Sequence, residues 1–349
     1  MAEFNLQFPT QEMVSSYVEK HIFDKQFFIA PRIGIKEDDV SNLHSAGAII
    51  WDVLEPTIGM TKVSSMDAAP KLVPQRVRKT ITHKPLYMKE ALELNETKLT
   101  LTSKLGTRDA RAGMELVYNA VDQLQDRLDT FIESACLEML TGTLRVEGKD
   151  RVDYGFTTAQ KPDVKTTSGY SGAYWNEENA NPIADIRKAC EVLRYKGARG
   201  ITLVMDVASS VYLSIACSDL LKQSQFAVSV GPEKVAELLP GIVGCGITEV
   251  ILGNQGYADD NGDLHSFIPE GKVFLVGKLP NGQEIGAFRT VPNIYNGIDN
   301  AKGGRFVVVN NEYERSGGSI PKVTITAGIY GLPVLYRPDL VVSMTVLGA

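Results

Sequence analysis

"TRDARAGMELVYNAVDQLQDRLDTFIESACLEMLTGTLRVEGKDRVDYGF" (Thr107–Phe156) decides how the chain is read. From Thr107, apolar residues fall at Ala110, Met114, Val117, Val121, Leu124, Leu128, Phe131 and Ala135. Spacings of four and three alternate without a break, which predicts one continuous stripe on a long helix. Thr107 suits the N-cap, Asp109 the first turn and Gly142 the stop. A helix over 107–140 is on the order of 50 Å long. Its opposite face carries Arg108, Arg111, Glu115, Asp122, Asp126, Asp129 and Glu133, the composition of a solvated side. A coiled coil is the competing reading of the stripe. Strand-like sequence at both ends argues instead for packing across a sheet within the subunit.

After the helix, Gly142 and Gly148-Lys149 raise the question of a phosphate loop, which needs glycine, four residues, then Gly-Lys and a hydroxyl residue. The residue five before Gly148 is Thr143, and Asp150 stands at the hydroxyl position, where its charge repels phosphate. Strand-like residues flank the Gly-Lys on both sides. The segment therefore reads as a β-hairpin, 143–146 out, 147–150 turning and 151–154 back, with glycine supplying a positive φ.

The bulk numbers fit a globular protein of two or three domains: 349 residues, 44% hydrophobic and 22% charged. A net charge of −6 argues against a nucleic-acid neutraliser. Cys136, Cys190, Cys217 and Cys245 are dispersed, without a Cys-x-x-Cys, and read as buried reduced thiols. His21, His44, His83 and His265 are equally scattered, so no metal site is predicted. "MAEFNLQFPTQEM" (Met1–Met13) has neither the basic start nor the apolar core of a signal peptide, and no stretch reaches roughly 18 apolar residues. The expectation is a soluble protein made in a reducing cytoplasm, with no membrane partner.

Outward from the helix, residues 47–101 read as extended chain, with Pro56, Pro70, Pro74 and Pro85 keeping helix out. This stretch has too little apolar content for its own core and must lie on something else. The first 45 residues hold a short amphipathic segment, Glu12–Phe23, and an irregular remainder. Downstream, helices and strands alternate over about 180–300. "NPIADIRKACEVLRYKGARG" (Asn181–Gly200) has Pro182 in its first turn and Gly197 at its stop. The chain ends in a long hairpin around Ser316-Gly317-Gly318, closed by "LVVSMTV" (Leu340–Val346). The fold class is α+β.

Tests for chemistry return little. Gly241, Gly244 and Gly246 have the wrong order for a dinucleotide fingerprint and precede a strand. "YADDNGDLH" (Tyr257–His265) starts its alternating ligand positions on a tyrosine and lacks the bidentate glutamate of a calcium loop, so it reads as a polar turn. No Gly-x-Ser-x-Gly elbow is present, and no cysteine has a histidine near it in sequence. No catalytic, cofactor-binding or metal residue is predicted.

The order of elements and five short motifs resemble the tailed-phage major capsid proteins of the lambda type, the capsid protein E family with the Hong Kong 97-type capsid fold. The motifs are Leu140-Thr141-Gly142 through Asp153-Tyr154-Gly155, Trp175–Ile186 with Asn181-Pro182 and Asp185, Gly246–Ile251, Phe267–Val276, and the terminal Leu332–Val346. The resemblance implies an N-terminal arm over 1–46 and an extended loop (E-loop) over 47–101. It further implies a peripheral (P) domain with a spine helix over 102–180 and an axial (A) domain over 181–302. The closing hairpin and C-terminal strand, 303–349, would return to the P and A domains. It implies a self-assembling icosahedral shell protein of the virion, built of pentamers and hexamers in the host cytoplasm, with no enzyme activity and no cofactor. Its implied partners are other copies of itself, a separate scaffolding protein (the residues before the helix being needed for arm and loop), a portal protein, a decoration protein and encapsidated DNA bound non-specifically. An encapsulin-type compartment shares the fold, and a cytosolic α/β enzyme is the reading from a different class.

Within the implied E-loop, residues 68–89 contain Lys71, Arg76, Arg78, Lys79, Lys84 and Lys89 and no acid. In a strand over Gln75–His83, Arg76 and Arg78 share a face with Thr80 and Thr82, opposite Val77 and Ile81. The expectation is an electrostatic clasp on a neighbouring subunit. Its candidate acids are Asp122, Asp126, Asp129 and Glu133 on the helix, or Glu37, Asp38 and Asp39. A solvated strand is the plainer alternative, since exposed pairs contribute only about 0–1 kcal/mol each.

Overall fold

The computed structural model describes residues 9–19, 28–37, 47–54, 63, 65–66, 69, 72, 78–95, 110–146, 148–223, 234, 237, 239, 244–279, 284–295, 298–300, 304–311 and 322–348. The long apolar stripe forms a helix, α2 (Ala110–Met139), and Thr107 and Asp109 lie outside the described residues. The helix is laid across a sheet, against β4 (Leu86–Asn95), β5 (Thr143–Val146) and β16 (Lys322–Leu335). The stripe is the reason: Val117, Val121, Leu124, Leu128 and Ala135 are buried, with Phe131 partly so. This is packing within the subunit, as the strands at both ends of the helix suggested.

Strand β16 is the spine of that sheet. Its first part pairs antiparallel with both β4 and β15 (Arg305–Asn311), and its last residues with β12 (Gly286–Thr290). β1 (Ile35–Glu37) adds a parallel strand outside β12. "LYMKEALELN" (Leu86–Asn95), within the stretch read as extended chain, is thus a ten-residue strand of the main sheet. Before it, β2 (Ile49–Leu54) and β3 (Arg78–His83) form a two-stranded ribbon. Helix α1 (Gln11–Glu19) buries Val14 and Val18 and lies along β15. There the Gln11 side-chain amide donates to the Val307 carbonyl and accepts from the Val309 N–H, so it occupies the edge of β15 as a strand would.

The hairpin after α2 is tighter than expected. β5 pairs with β6 (Lys149–Asp153), leaving only residues 147 and 148 between the strands, and a bulge takes up Arg151. Gly148 has φ 71°, as the turn requires. Gly142, with φ 87°, ends α2 by donating its N–H to the Met139 carbonyl at 3.0 Å. Tyr154 fixes the returning strand at two points. Its N–H donates to the Gly142 carbonyl at 3.0 Å, and its hydroxyl donates to the Pro333 carbonyl at 2.7 Å.

A second sheet has the order β17-β11-β7-β8, of β7 (Gly200–Asp206), β8 (Ile247–Gly253), β11 (Lys272–Lys278) and β17 (Val341–Thr345). The terminal strand "LVVSMTV" therefore joins β11 in this sheet instead of closing the last hairpin. β7 and β8 are parallel, and α4 (Val207–Gln223) follows β7. Helix α3 (Pro182–Tyr195) packs on α4 and β17. Its start explains one quoted motif. Asn181 accepts the Ala184 N–H at 3.1 Å, while buried Asp185 accepts from the Trp175 indole at 3.0 Å and the Ser171 N–H at 2.7 Å. Remaining short pairs are β9 (Gly256–Ala258) with β10 (Leu264–Ser266) and β13 (Asn293–Tyr295) with β14 (Ile298–Asn300).

Candidate inter-subunit interface

The β2–β3 ribbon has two chemically different faces. Ile49, Trp51 and Val53 are buried, and Ile81, opposite Trp51, packs against the same core. The other face carries exposed Ile50, Asp52, Arg78, Thr80 and Thr82, where the Thr80 hydroxyl donates to Asp52 at 2.7 Å. Arg78, Lys79 and Lys84 are solvent-exposed. Lys71, Arg76 and Val77 lie outside the described residues. Lys89 belongs to β4, with its ammonium 5.7 Å from the centre of the Tyr330 ring.

The acids expected on a solvated helix face divide sharply. Asp122 accepts from the Tyr17 hydroxyl at 2.7 Å, which pushes that phenol up to about 12, and Asp126 is exposed. Asp129 and Glu133, in contrast, are fully buried, which corrects the solvated reading for both. Asp129 pairs with Arg305 at 2.5 Å, and the same guanidinium meets Glu37 at 3.0 Å and the Gln125 carbonyl oxygen at 2.8 Å. Glu133 accepts the backbone N–H groups of Ile29 at 2.8 Å and Ala30 at 3.1 Å. Burial pushes its carboxyl up to about 7, against the pull of those two donors.

The physical reason is that the C-terminal half of α2 is covered twice, by the sheet below and by the segment 28–37 above. Asp129 and Glu133, one turn apart, fasten that segment and β15 from within. Glu37 is engaged in the same network, while Asp38 and Asp39 lie outside the described residues. Sequence reasoning missed Arg305 altogether, because its partners stand 176 and 268 positions away. A lone arginine in the run "GGRFVVV" (Gly303–Val309) carries no local mark of that role.

On its remaining side α2 is open. Arg127 bridges Glu90 of β4 and Asp260 of the β9–β10 turn, the latter at 3.0 Å. Beside this bridge a cleft of about 780 Å³ runs between α2, β5 and the β9–β10 hairpin. Among the described residues, no cluster of His, Cys, Asp and Glu is placed to hold a metal, and no helix is long and apolar enough to cross a membrane. Cys136, Cys190 and Cys217 are buried free thiols and Cys245 is half-buried.

The sequence profile of the family described as phage major capsid protein E matches residues 44–346. Among curated proteins, no sequence matches the chain. Among solved structures, the chain is similar to a crystal structure assigned to the capsid protein of a prophage of E. coli CFT073, with TM-score 0.59 and 14% identity, covering 98% of this chain and 100% of that one. It is also similar to the capsid of cyanophage P-SCSP1u, with TM-score 0.52 and 7% identity over 92% of this chain and 89% of that one. The capsid of myovirus XM1 gives TM-score 0.50 and 13% identity over 94% and 95%. At these identities the likeness is one of fold, and the fold is that of the Hong Kong 97-type capsid proteins.

Proposed function

The chain belongs to the phage major capsid protein E family and is a shell-forming capsid protein, and from that premise we propose that it assembles as pentamers and hexamers into an icosahedral shell around double-stranded DNA. The family match over residues 44–346 is the observation that carries this reading. On it, the β2–β3 ribbon with the segment between is the E-loop, and α2 with its hairpin and the β16 sheet is the P domain. The β7–β8–β11–β17 sheet is the A domain, and the residues before β2 are the arm. The protein acts by binding and not by catalysis, in the host cytoplasm, with a scaffolding protein, a portal protein and a decoration protein as further partners.

The basic stretch 68–89 is read as an electrostatic clasp on a neighbouring copy, with Asp122 and Asp126 the members of the original acidic row left at the surface. Many weak pairs repeated around a shell add up where one does not. Purified protein, alone or with its scaffold, should give capsomers or closed particles by size-exclusion chromatography and negative-stain imaging. Persistence as monomer or dimer under all assembly conditions would defeat the shell reading, and particles filled with a cargo enzyme in place of DNA would indicate a compartment. Arg76→Glu with Arg78→Glu should leave the subunit's circular dichroism unchanged and suppress shells, more at high pH than at a pH that protonates carboxylates. Assembly equal to wild type at low salt, where screening is weakest, would remove the clasp.

A further inference from the structure

We propose that Cys190 and Cys245 are a redox pair, which closes into a disulfide under mild oxidation and ties helix α3 to the turn that opens β8. The pair goes beyond the shell-forming reading, and only its timing rests on that reading.

The fold brings together two thiols that the sequence keeps far apart. Cys190 sits on α3, fully buried on one face with Ile186, Ala189 and Leu193. Cys245 is half-buried in the turn before β8. Their side chains share a hydrogen bond. The backbone leads to the same place. After α3 the N–H groups of Gly197 and Ala198 donate back to the Arg194 and Leu193 carbonyls, at 3.0 and 3.2 Å, and the chain enters β7. There the Ile201 N–H donates to the Gly246 carbonyl at 3.0 Å, so the residue after Cys245 is bonded to the strand that α3 feeds.

A disulfide brings its sulfurs to about 2.05 Å, closer than any hydrogen bond, so one side must yield. The turn is that side. Gly244 and Gly246, with φ 64° and 83°, flank Cys245, and a Cβ on Gly244 would meet nothing within 4 Å. The bond would close a loop of about 55 residues that includes β7 and α4.

Access fixes the order of events. Burial, then the charge of neighbouring Cys245 and the hydrogen bond to it, push the Cys190 thiol up to about 12. Cys190 therefore stays protonated and enclosed, while half-buried Cys245 meets solvent. Cys245 Sγ attacks one sulfur of a low-molecular-weight disulfide, forming a mixed disulfide and expelling a thiolate that takes up the Cys245 proton. Cys190 Sγ then attacks Cys245 Sγ and breaks the mixed disulfide, and its proton leaves with the second small thiol. Two protein thiols give up two electrons in all, and one small disulfide becomes two thiols. In a reducing cytoplasm the pair stays open. On the shell-forming reading it closes once the particle leaves the cell, and it then fastens the sheet of β7, β8, β11 and β17 to the helix packed on it.

The test treats the unassembled full chain with oxidised glutathione at pH 8 and then alkylates it in denaturant. Peptide mapping should find Cys190 joined to Cys245 within one chain, with Cys136 and Cys217 alkylated as free thiols. The thermal midpoint should rise by roughly 5 °C and fall back with dithiothreitol. Cys245→Ser should remove that shift. Cys190→Ala should leave glutathione trapped on Cys245, the signature of a missing resolving thiol. A stable glutathione adduct on Cys245 of the wild-type chain, a bridge between chains, or no bond at all overturns the pair. Chain alkylated inside cells before lysis should carry both thiols free, and a bond already present there overturns the timing. Neither measurement needs assembled particles, so a failure to form shells overturns the shell reading and leaves the pair standing.

Discussion

Glu133 shows how much one buried side chain decides. Held by two backbone N–H donors, and with no cation on it among the described residues, the carboxylate is poorly solvated, and burial pushes its carboxyl up to about 7 against an ordinary 4.5. Below pH 4.5 the group is protonated whether the chain is folded or not, and its contribution is fully present. Between 4.5 and 7 the folded chain keeps a proton that the unfolded chain releases, so stability falls as pH rises, by about 3 kcal/mol in all. Burial raises Glu138 and Asp185 as well, so these two groups contribute slopes of the same sign, whereas Glu177 and Asp259, held low by their hydrogen bonds, contribute slopes of the opposite sign. Glu133→Gln keeps a carbonyl oxygen for both N–H groups and removes the titration. Urea unfolding of the unassembled subunit should then show a shallower loss of stability from pH 5 to pH 8 than wild type. Equal slopes would mean that Glu133 does not titrate in the folded chain.

At the scale of elements, the passage from α2 into the β5–β6 hairpin depends on two glycines of unequal burden. A Cβ on Gly142 would stand 2.5 Å from the Lys161 side chain and 2.7 Å from the Phe156 ring, at φ +87°. At Gly148, φ is +71° with nothing within 4 Å. Gly148→Ala should therefore cost only the left-handed penalty of about 1–2 kcal/mol, while Gly142→Ala adds overpacking and should cost about 2–4 kcal/mol. Comparable urea midpoints for the two variants would show that Phe156 and Lys161 yield freely. These elements were legible in the sequence because their signals are local: a stripe of fours and threes, then glycine, then alternation. The faces of α2 were legible only in part. Periodicity locates the side that meets the sheet, but it is blind to a second cover arriving from residues 28–37, and that cover turns Asp129 and Glu133 inward. The cleft was invisible for the same reason, since its walls come from α2, β5 and a turn more than a hundred positions further on.

At the scale of the whole molecule, Arg305 joins the segment 28–37, the long helix and the sheet at one point, by Glu37, Asp129 and its own strand. Such a bolt is strong in one sense only. A buried ion network is close to neutral against a well-packed apolar replacement, but removing one member leaves the others charged and uncompensated, at about 3–5 kcal/mol. Arg305→Met should therefore destabilise the unassembled subunit by that order at pH 8. The loss should be smaller at low pH, where the network is less charged. Adding Asp129→Leu should recover stability at pH 8 as well, since it removes the most deeply buried of the two carboxylates. Because Glu37 ends β1, whose partner is β12, hydrogen exchange at Ile35–Glu37 should accelerate in Arg305→Met ahead of the rest of the sheet. Uniform acceleration across β4, β15 and β16 would instead mean that the network stabilises the sheet as a whole and does not specifically fasten the segment 28–37.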